Sequence, residues 1–231
     1  MIEKLIRKIK GNPDYRWENS YSLIDLLIIT GERAIQLLRG LLFTKLFLKH
    51  SKGLLFVGKG VKIRHSGKIT VGSNFIIGDF SVMNGLSKDG IIIGDNVSIG
   101  NNATLICTGV ISHIGVGIKI GNGTGINSSA FLGGQGGISI GENVIIGPGV
   151  KIFSENHIFS DPAVPIKDQG VSRLGVVIKD NCWIGSNVTI LDGVIIETGC
   201  IIAAGSVVTK SIPAMSIAGG IPAKIIKTRV L

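Results

Sequence analysis

The sequence predicts a parallel β-helix, a three-sided prism of short strands, on three observations. Glycine makes up 34 of 231 residues, about twice its usual share of roughly 7%. Aromatic residues are 5% of the chain while apolar residues are 45% and mean hydropathy is +0.46, so the chain has a core, and the core is built of small aliphatic side chains. Aliphatic residues recur every six positions over most of the length. No helix repeats in six and a lone strand repeats in two, whereas coils of three six-residue strands do so by construction. With only six prolines and no G-x-y triplet the glycine is not collagenous, and the hydropathy excludes a disordered chain.

Residues 1–53 differ in kind from the rest. Leu23, Ile24, Leu27, Ile28, Ala34, Ile35, Leu38, Leu41 and Leu42 fall mostly at three- and four-residue intervals, which predicts a helical region. Asp25, Glu32, Arg33, Arg39 and Lys45 interrupt it, so no run of about 20 apolar residues exists to span a bilayer. Two readings stay open. One is a cap on the main domain or a contact with a partner subunit. The other is a peripheral membrane anchor, because Leu41-Leu42-Phe43 and Leu46-Phe47-Leu48 are flanked by Arg39, Lys45 and Lys49.

Residues 54–210 carry the repeat. The inward positions are Val71, Ile77, Met83; Ile93, Ile99, Leu105; Ile120, Ile126, Leu132; Ile140, Ile146, Ile152; Ile178, Ile184, Ile190; and Ile196, Ile202, Val208. Val57 and Ile63 extend the series backward. Nine of these eighteen residues are followed directly by glycine, read here as the residue that permits tight corners. The period breaks only after third hexads. The excess is 4 residues after Met83, 9 after Leu105, 2 after Leu132 and 20 after Ile152. All insertions are therefore expected along one edge, the usual place of a solenoid's binding face. Residues 105–120 leave a second phase open, with a further hexad hidden in the insertion. Residues 211–231, with Pro213 and Pro222, are read as a cap on the C-terminal end.

The net charge is +9, and residues 1–50 hold nine Lys and Arg against five Asp and Glu. No dense basic stripe, aromatic stacking platform or zinc-finger spacing accompanies it, so nucleic acid is not an expected partner. Cys107, Cys182 and Cys200 form no C-x-x-C and stand beside no nucleophile-activating group, which marks them as core or wall residues. The opening M-I-E-K-L-I-R-K-I-K lacks the apolar stretch of a secretory signal. The expected location is the cytoplasm, with peripheral contact at the inner membrane face under the anchor reading of residues 1–53. Of four histidines, His157 stands out. It opens the longest insertion beside Glu155, Asn156 and Asp161, well placed for a general base whose tautomer an adjacent carboxylate or carbonyl fixes.

Residues 140–227 resemble the hexapeptide-repeat acyltransferases, in the branch of galactoside, maltose and polysaccharide O-acetyltransferases. The resemblance is carried by I-G-E-N-V-I-I-G-P-G-V-K-I-F-S-E-N-H, I-K-D-N-C-W-I-G-S-N-V-T-I-L-D-G-V-I-I, A-A-G-S-V-V-T-K-S-I-P and A-G-G-I-P-A-K-I-I-K. It implies a left-handed coil, a homotrimer, acetyl-CoA as donor and no metal. It further implies an active site in a groove between two subunits. The family's catalytic histidine falls on His157, which takes the proton of an acceptor hydroxyl as that oxygen attacks the thioester. The family's asparagine falls on Asn127, to orient the acceptor or hold the oxyanion. An inward asparagine ladder is the alternative account of Asn127. By the same resemblance Trp183, Gly185, Ser186, Ala204 and Gly205 border the thioester and pantetheine arm. Thr209, Lys210 and Lys227 lie toward the nucleotide end. The implied acceptor is a sugar or glycan of a surface polysaccharide, capsule or lipopolysaccharide, or its precursor. Alternatives are an amino sugar, serine or an antibiotic, or a zinc carbonic anhydrase using His65, His113 and His157.

Overall fold

A computed structural model describes residues 21–229, together with Arg7. The first twenty residues, which hold part of the predicted basic segment, lie otherwise outside the described residues, as do residues 230 and 231. The body is a left-handed parallel β-helix. Its first face runs from His50–Ser51 to Ile195–Ile196 in seven parallel strands, and its third from Lys62–Arg64 to Val207–Val208 in seven. The second face begins at Leu55–Val57, and seven of its nine strands belong to the coils, ending at Ile201–Ile202.

Every hexad position reads into its expected column. On face 1, Val71, Ile93, Ile120, Ile140, Ile178 and Ile196 are in register. On face 2 the column is Val57, Ile77, Ile99, Ile126, Ile146, Ile184 and Ile202. Face 3 aligns Ile63, Met83, Leu105, Leu132, Ile152, Ile190 and Val208. Except for the partly buried Ile63, all these side chains are buried and pack as one axial core. Leu105 pairs with Leu132 while Ile93 pairs with Ile120, so residues 105–120 hide no further hexad.

The glycine reading needs correction. The residue directly after the inward aliphatic one does not have positive φ. It is glycine because successive coils, about 4.8 Å apart, leave no room for a side chain there. A Cβ on Gly78 would lie 2.6 Å from the amide nitrogen of Asn101, and one on Gly147 2.7 Å from that of Ser186. The left-handed turn falls two residues later. Asn74, Asn96, Asn102, Asn143, Asn181 and Asn187 take it with φ of 55–58°, as asparagine does more readily than other non-glycine residues. Between the two positions an Asp or Asn often accepts from the preceding coil, as Asp95 Oδ1 does from Ser73 N at 2.6 Å and Asp180 Oδ1 from Glu142 N at 2.7 Å.

The cysteines are walls of the core, as expected. All three are buried. Burial pushes the Cys107 and Cys182 thiols up to about 11 and raises that of Cys200.

At the N-terminal end, helix α1 (Leu23–Arg39) starts with a capping box. Ser22 Oγ accepts from Asp25 N at 3.1 Å, and Asp25 Oδ2 from Ser22 N at 3.0 Å. The Ser22 hydroxyl also donates to Asp25 Oδ2 at 2.7 Å, and this bond, with that from the Ser22 amide, holds the Asp25 carboxyl below its usual range. The helix leads into the prism at Gly40, where a Cβ would lie 1.9 Å from the Leu55 carbonyl oxygen. Its apolar arc stays open: Leu23, Leu27, Ile35 and Leu38 are all exposed. None of the described helices is long and apolar enough to cross a membrane. At the other end Ile212 bridges Ile196 and is buried. Ser216–Gly220 then extends face 2 in parallel, and Ala223–Thr228 returns antiparallel beside it.

Candidate functional site

The expected site residues fall on two borders of face 3. Trp183 lies on the outer side of face 2, half exposed, one residue before the inward Ile184. Gly185 and Ser186 turn the corner between faces 2 and 3. Gly185 allows the next coil to close, since a Cβ there would meet the Ala204 nitrogen at 2.6 Å. Its own N–H is engaged in the ladder with the Ile202 carbonyl at 2.8 Å, and that of Gly205 with the Ser186 carbonyl at 2.8 Å. The amides that remain are those of Ser186 and Ala204, which have no acceptor among the described residues. Earlier on this edge the matching amides are covered: Lys59 N donates to Asp79 Oδ1 at 2.7 Å and Asp79 N to Asn101 Oδ1 at 2.8 Å. The cover ends there: Asn101 N and Ser128 N have no acceptor among the described residues, Pro148 has no N–H, and Ser186 and Ala204 follow in the same column. Two backbone donors are thus left open at the motif the resemblance singled out.

Asn127 sits on the same edge, one coil before Pro148. It occupies the position held by Gly58, Gly78, Gly100, Gly147 and Gly185 in other coils. Its side chain is exposed, and its Nδ2 and backbone N both donate to the Ile146 carbonyl, at 3.0 and 2.9 Å. The inward-ladder account is therefore overturned: Asn127 is an outer corner residue. The sequence carried a signal for it, a single asparagine interrupting a column of glycines.

His157 lies on the other border, where face 3 returns to face 1. Ser154 fixes the exit. It is buried, donates from Oγ to the Gly133 carbonyl at 2.6 Å and accepts from Gly136 N at 2.9 Å. Asn156–His157 then pairs antiparallel with Val171–Ser172, and Ile158 N donates to the Gly170 carbonyl at 3.1 Å. The return strand is held by Asp192, whose carboxylate accepts from Leu174 N at 3.0 Å and Gly175 N at 2.8 Å. The His157 ring is exposed and has no hydrogen-bond partner among the described residues. The carboxylates expected to orient it are engaged elsewhere. Glu155 pairs with Arg173 at 2.6 Å, and Asp161 accepts from Ala163 N at 2.9 Å. Within one protomer, then, the histidine and the open amides are kept apart by the width of face 3.

Thr209 and Lys210 are exposed just past the last face-3 strand, and Lys227 is exposed on the returning strand, where it pairs with Ile217. All three sit at the C-terminal end. The loops that carry His65, His113 and His157 share one edge but follow coils ending at Ile63, Leu105 and Ile152, each two coils from the last. That separates their roots by about 10 Å, against zinc–nitrogen bonds of about 2 Å. No group of three metal-ligating side chains occurs among the described residues.

Comparison with known proteins agrees with this architecture. The family described as bacterial transferase hexapeptide (six repeats) matches residues 175–210. A protein of Escherichia coli K12 named as a lipopolysaccharide biosynthesis O-acetyl transferase, WbbJ, is 28% identical over 84% of this chain and 87% of its own length. Galactoside O-acetyltransferase of the same organism is 37% identical over 39% of this chain and 43% of its own length. A Mycobacterium tuberculosis protein named as an acetyltransferase, Rv3034c, is 40% identical over 41% of this chain, which spans only 31% of that protein. In three dimensions the chain shares its fold with AntD, an N-acyltransferase of Bacillus cereus, at a TM-score of 0.53 and 23% identity, over 81% of this chain and 87% of that one. The hexads run in unbroken register, and the six-repeat signature of the hexapeptide transferases, to which the chain is similar, lies on its last coils.

Proposed function

We propose that the protein is an acetyl-CoA-dependent O-acetyltransferase that acetylates a hydroxyl of a surface-polysaccharide sugar, or of its precursor. The observation that supports this acceptor class is the likeness to the E. coli O-acetyl transferase, which extends over most of both chains. The chemistry rests on the two borders of face 3. His157 accepts the proton of the acceptor hydroxyl, and the oxygen attacks the thioester carbonyl. The Ser186 N–H donates to the oxyanion that develops, and the Ala204 N–H to the donor's amide-bearing arm. The carbon–sulfur bond then breaks and the thiolate takes the proton back from His157. No covalent enzyme intermediate is needed. Asn127, on the amide border, orients the acceptor. Trp183, Gly185 and Gly205 shape the wall along which the donor lies, and Thr209, Lys210 and Lys227 serve its phosphate end.

Because His157 and the open amides stand on different edges, one protomer does not hold the whole site. A homotrimer brings the 3–1 edge of one copy against the 2–3 edge of the next and completes it. In this reading residues 54–210 are the catalytic body, residues 211–231 close its C-terminal end, and residues 1–53 cap the other end. The exposed apolar arc of α1, with Arg33, Arg39, Lys45 and Lys49 nearby, further suits peripheral contact with an anionic bilayer at the cytoplasmic face.

The test is thiol release from acetyl-CoA by the full chain against a panel of monosaccharides, nucleotide sugars and oligosaccharides, with mass spectrometry of the product. A hydroxyl-linked acetyl on a sugar is expected. Acetylation only of amines, or of serine, would replace the acceptor class.

A further inference from the structure

We propose that Arg173 is a positioning residue that clamps the His157 hairpin to the insertion at residues 107–116, so that the two insertions form one wall of the acceptor site. The proposal rests on the reading of His157 as the base. The 20-residue excess after Ile152 closes through strands of only two residues, Asn156–His157 and Val171–Ser172, too short to hold themselves. At the foot of this hairpin, two residues from His157 on one strand and two from its partner Val171 on the other, Glu155 and Arg173 form an ion pair at 2.6 Å. Their side chains are only 24% and 20% exposed.

The rest of the guanidinium does not bind that carboxylate. Nη1 donates to the Ile114 carbonyl at 3.2 Å and Nη2 to the His113 carbonyl at 3.3 Å, across about sixty residues of sequence. The second insertion is itself tied down: Gly115 N donates to Thr108 Oγ1 at 3.0 Å, and Thr108 Oγ1 donates to the Leu86 carbonyl. One planar fork therefore joins three separate strands of chain, with donors diverging in a plane as only arginine can present them. The chain's own insertion after Leu105 thereby sets where His157 stands. A displacement of about 1 Å at a reacting group costs on the order of a hundredfold in rate.

The experiment compares wild type with Arg173→Met, Arg173→Lys, Glu155→Gln and His157→Ala, each as the full chain, by hydrogen–deuterium exchange and by thiol release from acetyl-CoA. Arg173→Met should speed exchange at least tenfold both at residues 156–158 and at residues 113–115, leaving the coil strands unchanged. It should lower kcat about ten- to a hundredfold with little change in KM for acetyl-CoA. Lysine should not restore it, and added guanidinium should restore part. Should Arg173→Met fail to fold, Glu155→Gln supplies the same readouts from the other side of the pair. Exchange within twofold of wild type at either segment overturns the clamp. Full activity of His157→Ala would instead overturn the base while the exchange result stood.

Discussion

The 2–3 edge and the 3–1 edge of this prism arise from the same six-residue arithmetic and have opposite characters. On the 2–3 edge no residue is inserted. Gly78, Gly100, Gly147 and Gly185 let the coils touch, and side-chain acceptors cover the corner amides of Lys59 and Asp79 but not those of Asn101, Ser128, Ser186 or Ala204. The 3–1 edge collects every insertion and carries His65, His113 and His157. A regular edge offers a row of backbone donors at fixed spacing, suited to a donor molecule whose pantetheine arm never varies. An irregular edge offers loops, which rigid coils can vary without disturbing the core. The two edges can thus change independently and, on the proposed function, one would hold a common donor while the other chooses the acceptor.

The largest expected effect tests the irregular edge. His157→Ala should lower transfer by about 10²–10⁴-fold, the usual cost of losing a general base. The thermal midpoint should hold, because the ring touches no described group by hydrogen bond. Single-turnover assays with acetyl-CoA separate this from weakened donor binding, and activity kept within a few-fold removes His157 from the mechanism.

The regular edge should fail in a different way. Gly147→Ala adds one methyl group, 2.7 Å from the Ser186 nitrogen and 2.8 Å from the Gly185 carbonyl carbon. Backbone on both sides is fixed by the ladder, so the coil must shift. A loss of about 1–3 kcal/mol is expected from chemical denaturation, together with weaker acetyl-CoA binding as Ser186 moves. Unchanged stability would show that the coils part more easily than their spacing suggests.

Much of this contrast was legible in the sequence. Hexad spacing placed all eighteen inward residues, and counting the leftovers placed every insertion on one edge, because each column is read directly from side-chain type. The open Ser186 and Ala204 amides were not legible, since they are backbone atoms defined by which neighbours lack an acceptor. Nor was the role of each glycine. One residue type answers both for close approach at Gly78 and for positive φ at Gly205, and only asparagine at the second position distinguishes them. The Arg173–Glu155 pair was hidden because its other contacts, at His113 and Ile114, are carbonyls nearly sixty residues away.

A smaller effect is expected at the C-terminal end, which belongs to neither edge. Lys210 and Lys227 are exposed, and a solvated charge near phosphate contributes about 0.2–1 kcal/mol. Reversal of both to glutamate should raise the acetyl-CoA Kd by several-fold up to about tenfold in low salt, and less as salt rises. Calorimetry with acetyl-CoA and with its dephosphorylated pantetheine fragment checks this. The fragment should bind the variant and the wild type alike. An unaltered Kd for acetyl-CoA would leave the lysines as surface charge and move the phosphate end elsewhere.

The smallest effect should come from Gly205→Asn, which separates the two glycine roles on one edge. Gly205 has φ of +72°, and a Cβ there would meet nothing within 4 Å. Asn187 holds the same backbone conformation at the matching position of the previous coil, and Asn181 does so on that coil's 1–2 edge. Asparagine therefore costs little in the folded state, while replacing glycine restricts the unfolded chain and stabilises by about 0.4–1 kcal/mol. The two terms nearly cancel, so denaturation midpoints should coincide with wild type. Donor binding need not follow. Gly205 adjoins the open Ala204 amide, and a side chain projecting there narrows the wall assigned to the pantetheine arm. A stable protein with weakened acetyl-CoA affinity would mark the space beside Ala204 as the donor's path. A stable protein with unchanged affinity would place that path on the Trp183 side of the corner.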